Sequence, residues 1–282
     1  MPEYGAHAFL WIGAWDRDAG DRAIRSAAET GFDFIEIPVL DPGGFDAAAH
    51  RATLDDAGIG ATVSLILPED AHMPEHPERA KRFLAEVLDA AETLGAGTVA
   101  GCIGYHLGAF TGDPPTTEER ATVAAALADV ADDAAARGIR LAFEVCNRYE
   151  TYLYNTLADG QDAVHAIGRD NVVLHADTYH MNIEEEGFHR PLVESADTLG
   201  YIHMSESHRG LVGSGTVIWD DVFRGLADAG YEGPLVLESF AAINPDLQAA
   251  TKLWRPPNQP PGALAEKGLA FLKVGARKAG LS

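Results

Sequence analysis

Four side chains of metal-binding type recur at intervals along the second half of the chain: Glu144 in LAFEVCNRYE, Asp177 in VLHADTYHMN, His203 in YIHMSESHR and Glu238 in LVLESF. Each ends an apolar run, and the separations are 33, 26 and 35 residues. Three carboxylates and one imidazole form a hard, oxygen-rich donor set, suited to Mn²⁺, Mg²⁺ or Co²⁺ rather than to a structural zinc site. Any one of them alone is ambiguous, because an acidic residue at a strand end often caps the following helix. Four in register are different: three carboxylates brought together without a cation repel one another, so their convergence requires a positive ion.

Such convergence needs a scaffold that repeats once per donor. Short β-type runs are predicted at 6–11, 32–38, 61–67, 98–103, 140–145, 172–177, 201–205 and 234–239. Amphipathic helical patterns fall between and after them at 18–30, 46–57, 77–94, 117–137, 157–167, 191–196, 219–229 and 263–278. Gly31, Gly58, Gly95, Gly138 and Gly230 stand where left-handed C-cap residues belong, just before the next strand. Eight such units predict an α/β fold, a (β/α)8 TIM barrel forming a single domain over residues 1–282. A doubly wound sheet is disfavoured, since neither GxGxxG nor GxxxxGK[ST] is present. In a closed barrel, side chains at equivalent heights on adjacent strands meet at the axis. The Gly- and Pro-rich insertions 104–116 and 244–262 follow the fourth and eighth strands, where active-site loops lie, and are candidate lids.

Composition narrows the partners. A net charge of −22 on 282 residues repels phosphate backbones and anionic headgroups, so neither nucleic acid nor a membrane is expected. The apolar start at 6–15 has no basic region before it, and no stretch reaches the roughly 18 apolar residues of a membrane span, which makes a cytoplasmic location the expectation. Cys102 and Cys146 lack CxxC spacing and read as reduced core thiols. Lys81, Lys252, Lys267, Lys273 and Lys278 face sixteen arginines, a bias that fits either a GC-rich genome or adaptation to high salt.

The runs EVCNRYE, ADTYHMNIEEE and HMSESHR resemble motifs of the D-tagatose 3-epimerase and D-psicose (D-allulose) 3-epimerase family, which has a xylose-isomerase-like TIM barrel. The likeness is densest over 144–240 and continues in pattern over 5–101. It implies a metal-dependent 3-epimerase of free ketoses, acting on pairs such as D-tagatose/D-sorbose, D-fructose/D-psicose or L-ribulose/L-xylulose. It further implies that Glu144, Asp177, His203 and Glu238 hold the divalent ion, Mn²⁺ before Co²⁺ or Mg²⁺. Glu150, His180 and Arg209 would contact the substrate near its carbonyl end, and the chain would form a homo-oligomer, a dimer or tetramer.

The implied roles make chemical sense. A proton on C3 of a 2-ketose lies alpha to the carbonyl, and a cation at O2 and O3 stabilises the cis-enediolate left by its removal. Epimerisation also needs acid/base groups on both faces of C3, and Glu144 and Glu238, from the fifth and eighth strands, are the candidates. Asp177 and His203 then position the ion, His203 as a neutral imidazole. His175 shares a strand face with Asp177 and is expected in the lumen rather than as a fifth ligand. Glu184, Glu185 and Glu186 read as acids opening a helix, and Trp11, Trp15 and Phe240 either wall the substrate or pack the barrel.

The first half departs from the pattern at His7, SLILPEDAH and GCIGYHLGAF, which leaves the preferred ketose open. Rival chemistries on the same barrel are an aldose-ketose or hydroxypyruvate isomerase and an inosose dehydratase. A metal-dependent endonuclease fits the charge poorly, and a non-catalytic sugar-binding module would survive loss of either glutamate.

Overall fold

Local chemistry sets where the helices begin and end. Asp16 accepts a backbone N–H of α1 (Arg17–Thr30), and Asp46 does the same for α2 (Ala47–Ala57). Thr116 with Glu119 and Thr156 with Asp159 form reciprocal caps on α4 (Thr117–Ala136) and α5 (Leu157–Ile167). α3 (Pro77–Leu94) opens on proline, whose missing N–H costs nothing at that position. All five predicted cap glycines have positive φ.

The computed structural model describes residues 2–241, 245, 248, 251–255, 257 and 259–281. Among them, β1 (Tyr4–His7), β2 (Phe34–Pro38), β3 (Gly60–Ile66), β4 (Thr98–Cys102), β5 (Arg140–Glu144), β6 (Val172–Asp177), β7 (Leu199–Ser205) and β8 (Leu235–Glu238) pair in parallel. They close in chain order into an eight-stranded barrel, β8 pairing with β1. The outer layer is completed by α6 (Thr178–Glu184), α7 (His189–Glu194), α8 (Trp219–Asp228) and α9 (Pro261–Ala279).

Three expectations need correction. β1 stops at His7 instead of running to Trp11, because the His7 ring takes the Phe9 N–H at 3.1 Å and turns residues 8–10 into a 3-10 helix. α6 was not foreseen: it starts at once from Asp177, whose carboxylate caps it, leaving no loop to mark it. The run Glu184–Glu186 therefore lies at the end of α6, not at the start of a helix, and Glu184 grips Arg148 through a bidentate pair, Nε to Oε1 and Nη2 to Oε2. Of the expected insertion 244–262, residues 244, 246, 247, 249, 250, 256 and 258 lie outside the described residues.

Alternation along the strands fills the lumen in layers. Phe34, Ala100, Ala142, Tyr201 and Val236 form an apolar floor, and residues two further on, Glu36, Glu144, His203 and Glu238, form the polar layer above it. Gly101 admits β4 to this packing: at φ +100 its missing Cβ would stand 2.4 Å from the Leu65 carbonyl oxygen.

Candidate metal centre and substrate pocket

The site is organised around His203. Its Nε2 lies 3.1 and 3.0 Å from the two oxygens of Glu36, a buried carboxylate that fixes the ring and turns Nδ1 inward. Nδ1 has no hydrogen-bond partner. Around it stand Glu238 Oε1 at 3.4 Å, Asp177 Oδ2 at 3.9 Å and Glu144 Oε1 at 4.0 Å. Asp177 divides its oxygens: Oδ1 accepts the Tyr179 N–H at 2.6 Å to cap α6, while Oδ2 is buried and unpartnered. Ser205 donates to the outer oxygen of Glu238 at 3.1 Å. The four residues spaced along the sequence thus meet, all buried, at the C-terminal mouth of the barrel.

The electrostatics fit a cation. Burial pushes the Glu144 carboxyl well above its usual range, and Cys146, Asp177 and Glu238 add to the rise, with His203 opposing it. Burial and then Glu238 raise Asp177 to about 8. Burial would raise Glu238 as well, but Arg209 and His203 outweigh it and hold that carboxyl well below the ordinary value. Arg209 and His203 together therefore do not hold all three acids in the ionised form. A divalent ion among the two unpartnered atoms and the flanking carboxylates would draw all three into the ionised form.

The three expected substrate contacts form one rim. Asn147 donates its backbone N–H to His180 Nδ1 at 3.0 Å, and the other ring nitrogen, Nε2, lies 3.2 Å from Arg209 Nη2, 3.7 Å from Glu144 and 4.0 Å from Glu150. Arg209 lies under the Tyr179 and Phe240 rings at 4.0 and 4.9 Å, with its guanidinium 3.4 Å from Glu238 and 3.8 Å from Glu150. Its Nε and Nη1 are buried donors with no hydrogen-bond acceptor. The residue sits at φ +52, an uncommon conformation for a side-chain-bearing residue, held by its N–H to Glu206 and by Phe240 and Ser239 donating to its carbonyl.

Sequence reasoning missed Glu36, whose only signal was a carboxylate amid the apolar residues of FIEIP. It also receives the Tyr201 hydroxyl at 2.5 Å, so the floor of the lumen and the centre are tied together. His175 is in the lumen, edge-on to Tyr201 and His203, with its Nδ1 3.9 Å from Glu144. Trp11 packs on Phe32, and Trp15 packs on Phe45 and His50; neither lines the central pocket, whereas Phe240 does. The opposite wall comes from the first half of the chain: His7, Phe9, Pro38, Ser64, Ile66 and Leu107. The 104–116 segment is anchored rather than free, with Gly108 donating to the Glu150 carbonyl and His106 bonded to Leu67 and His72.

Residues 24–274 match the family model described as a xylose isomerase-like TIM barrel. The chain belongs to the xylose isomerase-like TIM barrel family. Within that family it is 38% identical over 277 residues to the L-ribulose 3-epimerase of Methylomonas sp. (strain DH-1), covering 96% of each chain. It is 35% identical over 257 residues to the ketose 3-epimerase of Arthrobacter globiformis, covering 89% of each. The crystal structure of D-allulose 3-epimerase from Methylomonas sp. in complex with D-allulose superposes with a TM-score of 0.93 at 37% identity, over 97% of this chain and 96% of the other. No helix among the described residues is long and apolar enough to cross a membrane.

Proposed function

We infer that the protein is a ketose 3-epimerase, an isomerase that inverts C3 of a free ketose. One observation carries the reading: Glu144 and Glu238 stand on the outer strands of the contiguous arc β5-β6-β7-β8, with Asp177 and His203 between them. A sugar lying across this arc has one carboxylate on each side of C3, as removal on one face and delivery on the other demand.

Glu144, Asp177, His203 and Glu238 would hold a divalent cation, Mn²⁺ first, which supplies the positive charge that makes a C3 proton acidic. Arg209 offers its two unpartnered N–H groups to the ketose oxygens, and Tyr179 and Phe240 keep the guanidinium in place. His180 turns Nε2 toward O1 or O2, and Glu150 accepts from a hydroxyl beside it. In one direction Glu238 takes the proton and Glu144 returns one to the other face; in the reverse direction the roles exchange. D-Allulose and L-ribulose lead the candidate substrates, since the relatives bear those names. A dimer or tetramer completes the reading by likeness to the family, with the cytoplasm the location expected from the sequence, and light scattering checks the assembly.

The test is turnover of a ketose panel in heavy water after chelation and restoration with Mn²⁺, Co²⁺ or Mg²⁺. Deuterium is expected at C3, and label confined to C1 or C2 would instead identify an aldose-ketose isomerase. Glu144→Gln and Glu238→Gln are each expected to lower turnover by about 10²–10⁴-fold with an unchanged far-ultraviolet circular dichroism spectrum. Undiminished turnover in both would overturn the two-base scheme.

A further inference from the structure

Cys102 ends β4, and Cys146 follows the end of the neighbouring β5 by two residues; their sulfurs approach to 3.5 Å. Both are unoxidised, only 2% and 1% exposed, and both line the central cavity. One carboxylate oxygen of Glu144 lies with the two sulfurs in a triangle of donors no more than 4.8 Å apart.

We propose that Cys102, Cys146 and Glu144 form a second metal site that takes a thiophilic, tetrahedral cation such as Zn²⁺ and inhibits the enzyme by drawing Glu144 out of the neighbouring centre. With Zn–S bonds of about 2.3 Å, sulfurs at the observed 3.5 Å subtend an angle of about 100° at the metal, near the tetrahedral value. A linear two-thiolate ion would need the sulfurs roughly 4.6 Å apart, so that class is disfavoured. Donor chemistry separates the two sites: the sulfur pair selects Zn²⁺ or Cd²⁺, whereas Asp177, His203 and Glu238 with Glu144 suit a harder ion. On binding, two S–H bonds break, two metal–sulfur bonds form and two protons pass to the buffer, with no change in sulfur oxidation state, while one Glu144 oxygen gives up its place at the neighbouring centre, or its own proton where that centre is empty, for a bond to the incoming ion. Glu144 is the shared member, so filling the thiol site removes one of the two carboxylates that flank C3 in the function proposed above.

The experiment adds Cd²⁺ and Zn²⁺ to the full-length protein and to Cys102→Ala/Cys146→Ala. Wild-type protein is expected to develop an ultraviolet Cd–thiolate charge-transfer band that saturates at one thiolate-bound ion per chain, and the double variant to lack it. Zn²⁺ inhibition, measured against each protein's own Mn²⁺-supported rate, is expected to weaken by about a hundredfold in the variant. Should the double variant not fold, Cys146→Ser is expected to halve the band. Absence of the band in folded wild-type protein, or equal Zn²⁺ sensitivity in both proteins, overturns the proposal. The band requires no turnover, so its outcome is separable from that of the epimerase reading.

Discussion

At the scale of single residues, the decisive contact is Glu36 to His203. Burial would raise the Glu36 carboxyl, but the imidazoles, His203 first, hold it at about 2, so it stays an acceptor at every working pH. Its task is to fix which ring nitrogen faces the centre. Glu36→Gln is expected to weaken Mn²⁺ affinity by about 10–100-fold while the fold persists, as read by calorimetric titration; unchanged affinity would deny Glu36 that task. Sequence disclosed the four converging donors because each ends an apolar run and the spacing follows the repeat. Glu36 has no such spacing, and its partner lies 167 residues away, a pairing only barrel closure creates. At Asp177 one carboxylate oxygen caps α6 and the other is left without a partner, so capping does not preclude the ligation proposed for it.

Elements place these residues, and the β7–α8 connection does so through one buried carboxylate. Glu206 accepts the N–H groups of Ser207, Gly213 and Val217 and the Trp219 indole, while its own carbonyl holds the backbone of Arg209. Burial raises its pKa, but these donors outweigh burial and leave it below the ordinary value. A folded-state pKa below the unfolded one gives stability that is complete above the ordinary carboxylate range and is lost as pH falls through the depressed value. Glu206→Gln is therefore expected to cost about 1–3 kcal/mol at neutral pH and to raise KM as Arg209 loosens, by thermal unfolding and steady-state kinetics. A variant matching wild type in both would remove Glu206 from this role. Sequence patterning located eight strands within a few residues but overlooked α6 and misplaced the Glu184–Glu186 acids, because a seven-residue helix shows too few turns for periodicity to register.

For the molecule as a whole, charge is the largest unbalanced term. Basic residues number 21 against 43 acidic ones, and ion pairs such as Arg137 with Asp89, Glu92 and Asp133 involve largely exposed carboxylates and contribute little. Salt screens those pairs, but it screens the repulsion among the excess carboxylates more. Melting temperature is expected to hold or rise between dilute buffer and about 1 M salt, and marked destabilisation there would exclude adaptation to salt. The eight-unit rhythm was legible because glycine punctuates it, whereas the closure that brings β8 beside β1 is a property of no local segment.

Every residue assigned above to the C3 chemistry, as a candidate ligand of the catalytic ion or a contact to the ketose, lies on or follows one of the last four strands, while the opposing wall comes from the first four. Under the function proposed above, reactivity and taste would thus be written in separate halves of one gene. A graft of the leading half from a cousin that prefers another sugar, keeping Glu36, would transplant the preference and spare the engine, and natural drift can explore new diets along the same seam.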